Sequence, residues 1–127
     1  MNAYTATTEK ITITVRPVFI DTESDPIERK FTFAYFVRIE NHGAEPVQLL
    51  RRHWFINHGG GRVEEVEGEG VVGQQPMIQP GGSHEYNSFC ILETFEGTME
   101  GTYLMRRPNG ELFYVVVPRF SLRAQAN

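Results

Sequence analysis

Residues 31–41 read Phe-Thr-Phe-Ala-Tyr-Phe-Val-Arg-Ile-Glu-Asn, and this stretch decides the fold class. Side chains of a strand alternate between its two faces, so a run that is apolar at every second position predicts a strand with one buried face. Phe36 lies on the mixed face by parity, and its placement stays open because it suits either sheet surface. The predicted core face consists of Phe31, Phe33, Tyr35, Val37 and Ile39.

The same alternation recurs along most of the chain. Turn-forming residues separate the alternating segments, among them Asn41-His42-Gly43, His58-Gly59-Gly60-Gly61 and the Asn109-Gly110 pair of a tight hairpin. No window has the spacing of an amphipathic helix. Pro17 interrupts the first segment, which a strand tolerates at an edge or a bulge. The predicted strands cover residues 10–20, 31–41, 47–57, 62–67, 83–92, 98–106 and 111–120, and residues 68–82 form a long connection.

About seven to eight antiparallel strands of this kind predict an all-β sandwich, since several of them have one apolar and one mixed face. The cysteine pair that joins the sheets of antibody domains is missing, because Cys90 is the only cysteine. The predicted fold is therefore a fibronectin type III-like (immunoglobulin-like) β-sandwich.

The composition is that of one globular domain of 127 residues, with 40% hydrophobic and 22% charged side chains. We expect a core from about residue 8 to residue 122 with flexible termini. A net charge of −4 argues against a general nucleic-acid coat. The lone cysteine fits a reducing compartment, and no apolar run is long enough for a membrane span or a signal peptide. We expect a cytoplasmic protein.

Gly68-Glu69-Gly70-Val71-Val72-Gly73 spells the G-x-G-x-x-G pattern of dinucleotide-binding folds. That pattern needs a helix directly after it, and Pro76 and Pro80 prevent one here. One hypothesis is that Gly68, Gly70 and Gly73 form a nest of amides for a pyrophosphate or polyphosphate. It predicts that Gly70→Val weakens ligand binding and leaves the fold intact. The alternative, which we favour, is a tight loop between strands whose glycines supply positive φ.

Four glutamates, Glu64, Glu65, Glu67 and Glu69, precede and enter this loop. Carboxylates attract hard cations such as Mg²⁺, but a specific site needs convergent ligands, and adjacent residues of a strand point to opposite sides. A third, weaker hypothesis is a low-affinity sensor of divalent ions that uses residues 64–69. We interpret the run as a solvated sheet edge whose charge prevents pairing with other sheets. We predict no resident metal or cofactor.

The histidines and Cys90 do not match a zinc or transition-metal template. His53 and His58 are five residues apart, so they face opposite ways on a regular strand. Cys90, between Phe89 and Ile91, is expected to be a small core residue, while a cross-strand contact with His53 or His58 stays open. No nucleophile elbow or carboxylate pair is visible, and the prediction is a protein without enzymatic activity.

Arg51-Arg52-His53-Trp54 is the densest cluster of residues typical of binding hot spots. Arg51, Arg52 and Trp54 are therefore the candidate interaction surface. The alternative places Trp54 in the core of the sandwich. Alternation puts Leu50, Arg52 and Trp54 on one face, so Arg52 would then lie at the rim of that core.

Several long segments together resemble the bacterial ApaG family, over about residues 8 to 122. They are Leu50-Arg51-Arg52-His53-Trp54, residues 63–76, Pro80-Gly81, the Tyr86, Ser88, Cys90, Leu92 alternation and residues 97–105. Asn57-His58-Gly59 departs from the Asp-containing turn expected in the family, so a cation site that used that Asp is in doubt here.

The resemblance implies a fibronectin type III-like sandwich. Similar domains are appended to eukaryotic F-box proteins and to a polymerase-interacting protein, where they look like protein–protein interaction modules. The family is also linked by name to cobalt and magnesium resistance, and its gene neighbours a diadenosine tetraphosphate hydrolase. We therefore predict a non-enzymatic module that binds a protein partner, with an indirect link to cobalt and magnesium resistance; the alternative is nucleotide or polyphosphate binding through residues 68–73.

Overall fold

The computed structural model describes residues 2–125, most of which form β-strands. Apart from one 3₁₀ turn at Asp21–Glu23, this part of the chain contains no helix, and none that could cross a membrane. The strands are β1 Tyr4–Thr8, β2 Ile11–Phe19, β3 Phe31–Asn41, β4 Val47–His58, β5 Val63–Glu69, β6 Met77–Ile78, β7 Ser83–Leu92, β8 Glu96–Arg106 and β9 Leu112–Arg123.

The strands form two antiparallel sheets that pack face to face, which confirms the predicted β-sandwich. The first sheet has the order β1-β2-β3-β7, and the second has the order β5-β4-β8-β9 with β6 paired to β4. β1 and β2 pack against β9 at one flank of the sandwich. There the Val116 amide donates to the Thr8 hydroxyl at 3.1 Å, and Arg107 forms an ion pair with Glu9 at 2.8 Å. β7 and β5 are the edge strands of the opposite flank.

The core lies between the sheets and is centred on Trp54. The inward face of β3 is the predicted one, and its residues from Phe33 to Ile39 are almost fully buried. Trp54 is 2% exposed, and its ring centroid lies 5.6 Å from that of Tyr35, 6.1 Å from Tyr103 and 6.0 Å from Phe120. The rings of Tyr103 and Phe120 stand nearly perpendicular to the indole, the arrangement that aromatic quadrupoles favour.

A β-bulge in β4 changes which residues face the core. The pairing of β4 with β8 shifts register between Leu49 and Arg51. Because a bulge inserts one extra residue, Leu49 points inward before it and Trp54 points inward after it. Leu50 is only half-buried, so the predicted face shared by Leu50, Arg52 and Trp54 is wrong at Leu50.

Two strands were not among those predicted. β1 ends at Thr8, so most of it lies before the predicted core, and it joins β2 through a turn in which Glu9 and Lys10 have φ of 46° and 68°. β6 lies inside the segment 68–82, and β5 extends into that segment as far as Glu69. Pro17 lies beyond Val15, the last β2 residue that pairs with β1, so its missing N–H costs β1 no hydrogen bond.

Candidate functional site

The glycine-rich segment forms the end of β5 and a two-residue turn. The amide of Val71 donates to the Gln74 carbonyl at 2.8 Å, and that of Gln74 donates back to Val71 at 3.0 Å. Val72 and Gly73 between them have φ of 47° and 76°, as in a type I′ hairpin turn. The Gly70 amide donates to the Leu50 carbonyl at 2.8 Å. With the amides of Gly70, Val71 and Gln74 in these bonds, the geometry supports the loop between strands rather than an amide nest.

Gly70 is also required by the turn itself. Its φ is 62°, and a Cβ atom placed on it would overlap the backbone carbonyl of Gln74. The expectation that Gly70→Val leaves the fold intact is therefore wrong, because backbone atoms cannot move aside as a flexible side chain does.

Arg52 holds this loop from the rim of the core. Its Nη1 atom donates to the carbonyls of Glu69 at 2.9 Å and of Gly70 at 3.0 Å. Gly68, directly opposite Arg52 in the register of β4 and β5, leaves room for the guanidinium. The positive charge of Arg52 therefore satisfies two carbonyl oxygens of the loop.

The three residues of the candidate interaction surface do not share one surface. Arg51 is exposed on the outer face of the second sheet, opposite Glu69 of β5. Arg52 is half-buried at the rim, and Trp54 is buried in the core. Trp54 is therefore not part of an exposed interaction surface, because its contact area lies within the protein.

A cluster of tyrosine hydroxyls joins the two sheets next to Arg52. Tyr86 on β7 and Tyr103 on β8 form a short hydrogen bond between their hydroxyls. Burial raises the pKa of both hydroxyls, and it raises the pKa of Tyr35 as well. Nearby Arg52 opposes these shifts in pKa. The raised pKa values keep these hydroxyls protonated at neutral pH, and the bond between Tyr86 and Tyr103 links the two sheets.

The acidic run lies on an edge strand, as interpreted from the sequence, and its members divide between the two faces. Glu65 and Glu67 flank His53 on the outer face. Nε2 of His53 lies 2.7 Å from Glu65, and Nδ1 lies 3.3 Å from Glu67. One imidazole and two carboxylates within 4.8 Å of one another could hold a metal ion. Each ring nitrogen faces a different carboxylate, so the imidazole of His53 bridges Glu65 and Glu67 on the outer face.

His58 and Cys90 are both buried, but their side chains have different surroundings. His58 accepts the Glu93 amide at Nδ1 at 3.3 Å, and its Nε2 lies 3.2 Å from Glu64. Burial, with a smaller effect of Glu64, raises the pKa of the Cys90 thiol to about 12. The side-chain partners of His53 and His58 are carboxylates and Arg62, so neither histidine activates this thiol. Cys90 has the properties of an inert core residue.

An exposed apolar patch covers the outer face of the first sheet at β3 and β7. Its members, Phe36, Phe89 and Ile91, are 47%, 62% and 50% exposed, and we call them the outer patch. Phe89 lies directly opposite Ala34, which is only 3% exposed although it points outward. The sequence contains a signal for this patch. Phe36 lies on the mixed face of β3, and Phe89 and Ile91 lie on the face of β7 opposite Cys90. Each of the two strands therefore has apolar side chains on both of its faces.

Comparison with known proteins places the chain in a family. Residues 21–107 match the model of the ApaG domain. The chain belongs to the ApaG family. It is 49% identical to the ApaG protein of Paramagnetospirillum magneticum and 50% identical to that of Rhodospirillum centenum; each alignment covers 94% of this chain and 92% of the relative.

A solved structure confirms the fold. The crystal structure described as that of the ApaA protein from Bordetella pertussis is 45% identical and superposes with a TM-score of 0.88, covering 92% of this chain and 95% of that one. The predicted ApaG resemblance and the predicted sandwich are both confirmed.

Proposed function

We propose that this ApaG domain is a non-enzymatic module that binds a partner protein through the outer patch. The observation that carries the proposal is the position of three large apolar side chains on adjacent strands, each about half exposed or more. Leaving apolar area in water costs about 25 cal/mol per Å², and contiguous patches of this kind mark contact surfaces more often than scattered residues do.

A second apolar row, Leu112, Tyr114 and Val116, lies on β9 in the other sheet. We favour the outer patch because the row on β9 adjoins an edge that already contacts β1, where the Val116 amide donates to Thr8. The outer patch instead includes Phe89 and Ile91 of β7, an edge strand whose only strand partner in residues 2–125 is β3. A part in cobalt or magnesium resistance would then be indirect, through the partner.

The experiment requires a purified partner. A photo-crosslinking amino acid replaces Phe89 in living cells, the crosslinked protein is identified and purified, and its affinity is measured by calorimetry. Phe89→Ser is expected to weaken binding by about 2 kcal/mol, roughly thirtyfold, because an aromatic residue at the centre of an interface dominates its energy.

Tyr114→Ser is the matched control, since Tyr114 is 64% exposed and Phe89 62% exposed, each on an outer sheet face. This control is expected to bind as the unmodified chain does. Equal affinity of the Phe89→Ser and Tyr114→Ser variants, or no binding by any purified crosslinked protein, would overturn the proposal.

A further inference from the structure

The turn between β8 and β9 contains an asparagine followed directly by glycine. Asn109 and Gly110 lie at the tip of this hairpin, and both are exposed. The other described asparagines, at positions 2, 41, 57 and 87, precede alanine, histidine, histidine and serine. A Cβ atom on the following residue hinders the approach of its amide nitrogen to the asparagine side chain, and glycine has none. Among residues 2–125, Asn109 is therefore the asparagine whose side chain the next amide reaches most easily.

The two groups that can react with each other here are the amide nitrogen of Gly110 and Cγ of Asn109. When this nitrogen attacks Cγ, a bond between N and Cγ forms and the bond between Cγ and Nδ2 breaks. Ammonia leaves with the proton that the Gly110 nitrogen gives up, and a cyclic imide remains. Water then adds to one of the two imide carbonyls and opens the ring to aspartate or isoaspartate, with no change of oxidation state. Because both groups belong to one chain, the entropic cost of bringing two reactants together is small.

We propose that Asn109 is a site of spontaneous deamidation and that opening of the β8–β9 turn sets the rate. In the closed turn the Gly110 amide donates to the Arg107 carbonyl at 2.9 Å, so its nitrogen has to leave this bond before it attacks. Oδ1 of Asn109 accepts the Glu111 amide at 2.9 Å. A donor at this oxygen stabilises the negative charge that develops there during the attack.

The tip of the turn is free to open. A Cβ atom placed on Gly110, whose φ is 89°, would meet no heavy atom within 4 Å apart from those of its two chain neighbours. Rotation of the backbone at this position therefore displaces no packed side chain, and the exposure of Asn109 admits the water that opens the imide. The inference goes beyond the proposed function, because the turn shares no residue with the outer patch.

The side chain of Arg107 holds the turn closed from its base. It forms ion pairs with Glu111 across the turn and with Glu9 in the β1–β2 turn, each at 2.8 Å. Its guanidinium carbon lies 4.0 Å from the ring centroid of Phe113. Loss of these contacts is expected to raise the population of the open turn. The side chain of Arg107 is thus a positioning residue, which acts on the reaction through the turn.

The test follows the whole chain by peptide mapping and mass spectrometry during incubation in mildly alkaline buffer. Replacement of the amide by a carboxyl group is expected at Asn109. The rate there should exceed that at Asn87 at least about tenfold, because Asn87 is also exposed but lies within β7, where opening costs more. Isoaspartate is expected beside aspartate, since direct hydrolysis of the side chain gives aspartate alone.

Two comparisons test the part played by the turn. The same chain unfolded in guanidinium chloride is expected to react faster at Asn109 than the folded chain. Arg107→Ala is expected to react about two- to fivefold faster when folded, as the loss of partly exposed ion pairs implies. Arg106→Ala is the matched control, because Arg106 is exposed and donates to Gln48 at 2.7 Å instead of closing the turn. This control is expected to react as the unmodified chain does.

Several results would overturn the inference. One is the absence of deamidation at Asn109, or a rate there no higher than at Asn87. Another is aspartate without isoaspartate, which would exclude the cyclic imide. Equal rates in the folded and unfolded chain, or in the Arg107→Ala and Arg106→Ala variants, would show that the rate does not depend on opening of the turn. Each of these results leaves the proposed function untouched, because none of them involves binding of a partner.

Discussion

Arg52 lies so close to Gly68 that a Cβ atom on Gly68 would stand 2.8 Å from the guanidinium nitrogens. The two residues are directly opposite each other in the register of β4 and β5. The absence of a side chain at position 68 thus allows Arg52 to reach the carbonyls of Glu69 and Gly70. This glycine of the G-x-G-x-x-G pattern therefore makes room for the side chain of an arginine of the same chain.

Gly68→Ala is expected to lower the free energy of unfolding by about 1–2 kcal/mol, the contribution of the charge-assisted bonds lost when the guanidinium moves. In a chain that already has Arg52→Ala, the same change is expected to cost nothing, because alanine suits a strand better than glycine does. Urea unfolding of the two single variants and the double variant measures this coupling. Additive effects would show that Gly68 and Arg52 act independently.

Val72 has a φ of 47°, which is unfavourable for a β-branched residue, and its side chain is 61% exposed. Val72→Asn creates the Asn-Gly pair that type I′ turns prefer. We expect a gain of about 1 kcal/mol in the free energy of unfolding, because the left-handed conformation costs valine about that much more. Thermal and urea unfolding measure the gain.

The matched control is Val63→Asn, at a 55% exposed position at the start of β5 where the backbone φ is not positive. Asparagine is a poor strand former, so this control is expected to lose stability. If both valine-to-asparagine changes shift stability in the same direction, the strain assigned to Val72 is absent.

Asn41 is buried and ties β3 to two neighbouring segments. Its side-chain amide donates to the carbonyls of Glu45 at 2.8 Å and Ile78 at 3.0 Å, and its oxygen accepts the Gly43 amide at 2.9 Å. Asn41→Ala leaves these groups without their partner, and we expect it to cost about 2–4 kcal/mol. His42→Ala, at the exposed neighbouring position, is expected to change little. A cost below about 1 kcal/mol in urea unfolding would mean that water replaces the amide.

The sequence predicted those strands in which large apolar side chains alternate with polar ones, such as β3. β1 has the sequence Tyr-Thr-Ala-Thr-Thr, which lacks that contrast, and its hairpin turn is Glu9-Lys10 rather than a glycine pair. Its formation depends on pairing with β2, a tertiary effect that local pattern does not express.

The candidate site was predictable only in part, for a related reason. The edge position of the glutamates follows from their charge, and the inward position of Trp54 is one of the two alternatives that the sequence leaves open. The contact of Arg52 with residues 69 and 70 depends on the register of β4 with β5, and the inward position of Leu49 depends on a bulge. Neither register nor bulge is determined by side-chain periodicity alone.

Cys90 provides a test of core burial through pH. Burial raises the pKa of its thiol from 9.0 to about 12, so the folded chain retains the proton that the unfolded chain releases. Below pH 9 the thiol is protonated in both the folded and the unfolded chain, so its contribution to the free energy of unfolding is complete. As pH rises towards 12 the unfolded chain releases this proton first, and that contribution is lost. Between these limits the free energy of unfolding should fall by up to about 1.4 kcal/mol per pH unit from this group.

The buried tyrosines titrate in the same direction, so the thiol is isolated by comparison with Cys90→Ala. The difference in stability between the two chains is expected to be constant below pH 9 and to change in favour of the alanine variant as pH rises above it. A thiol reagent at pH 8 should react with Cys90 only at the rate of unfolding. Rapid labelling of the folded chain, or parallel pH profiles of the two chains, would show that the thiol is open to water.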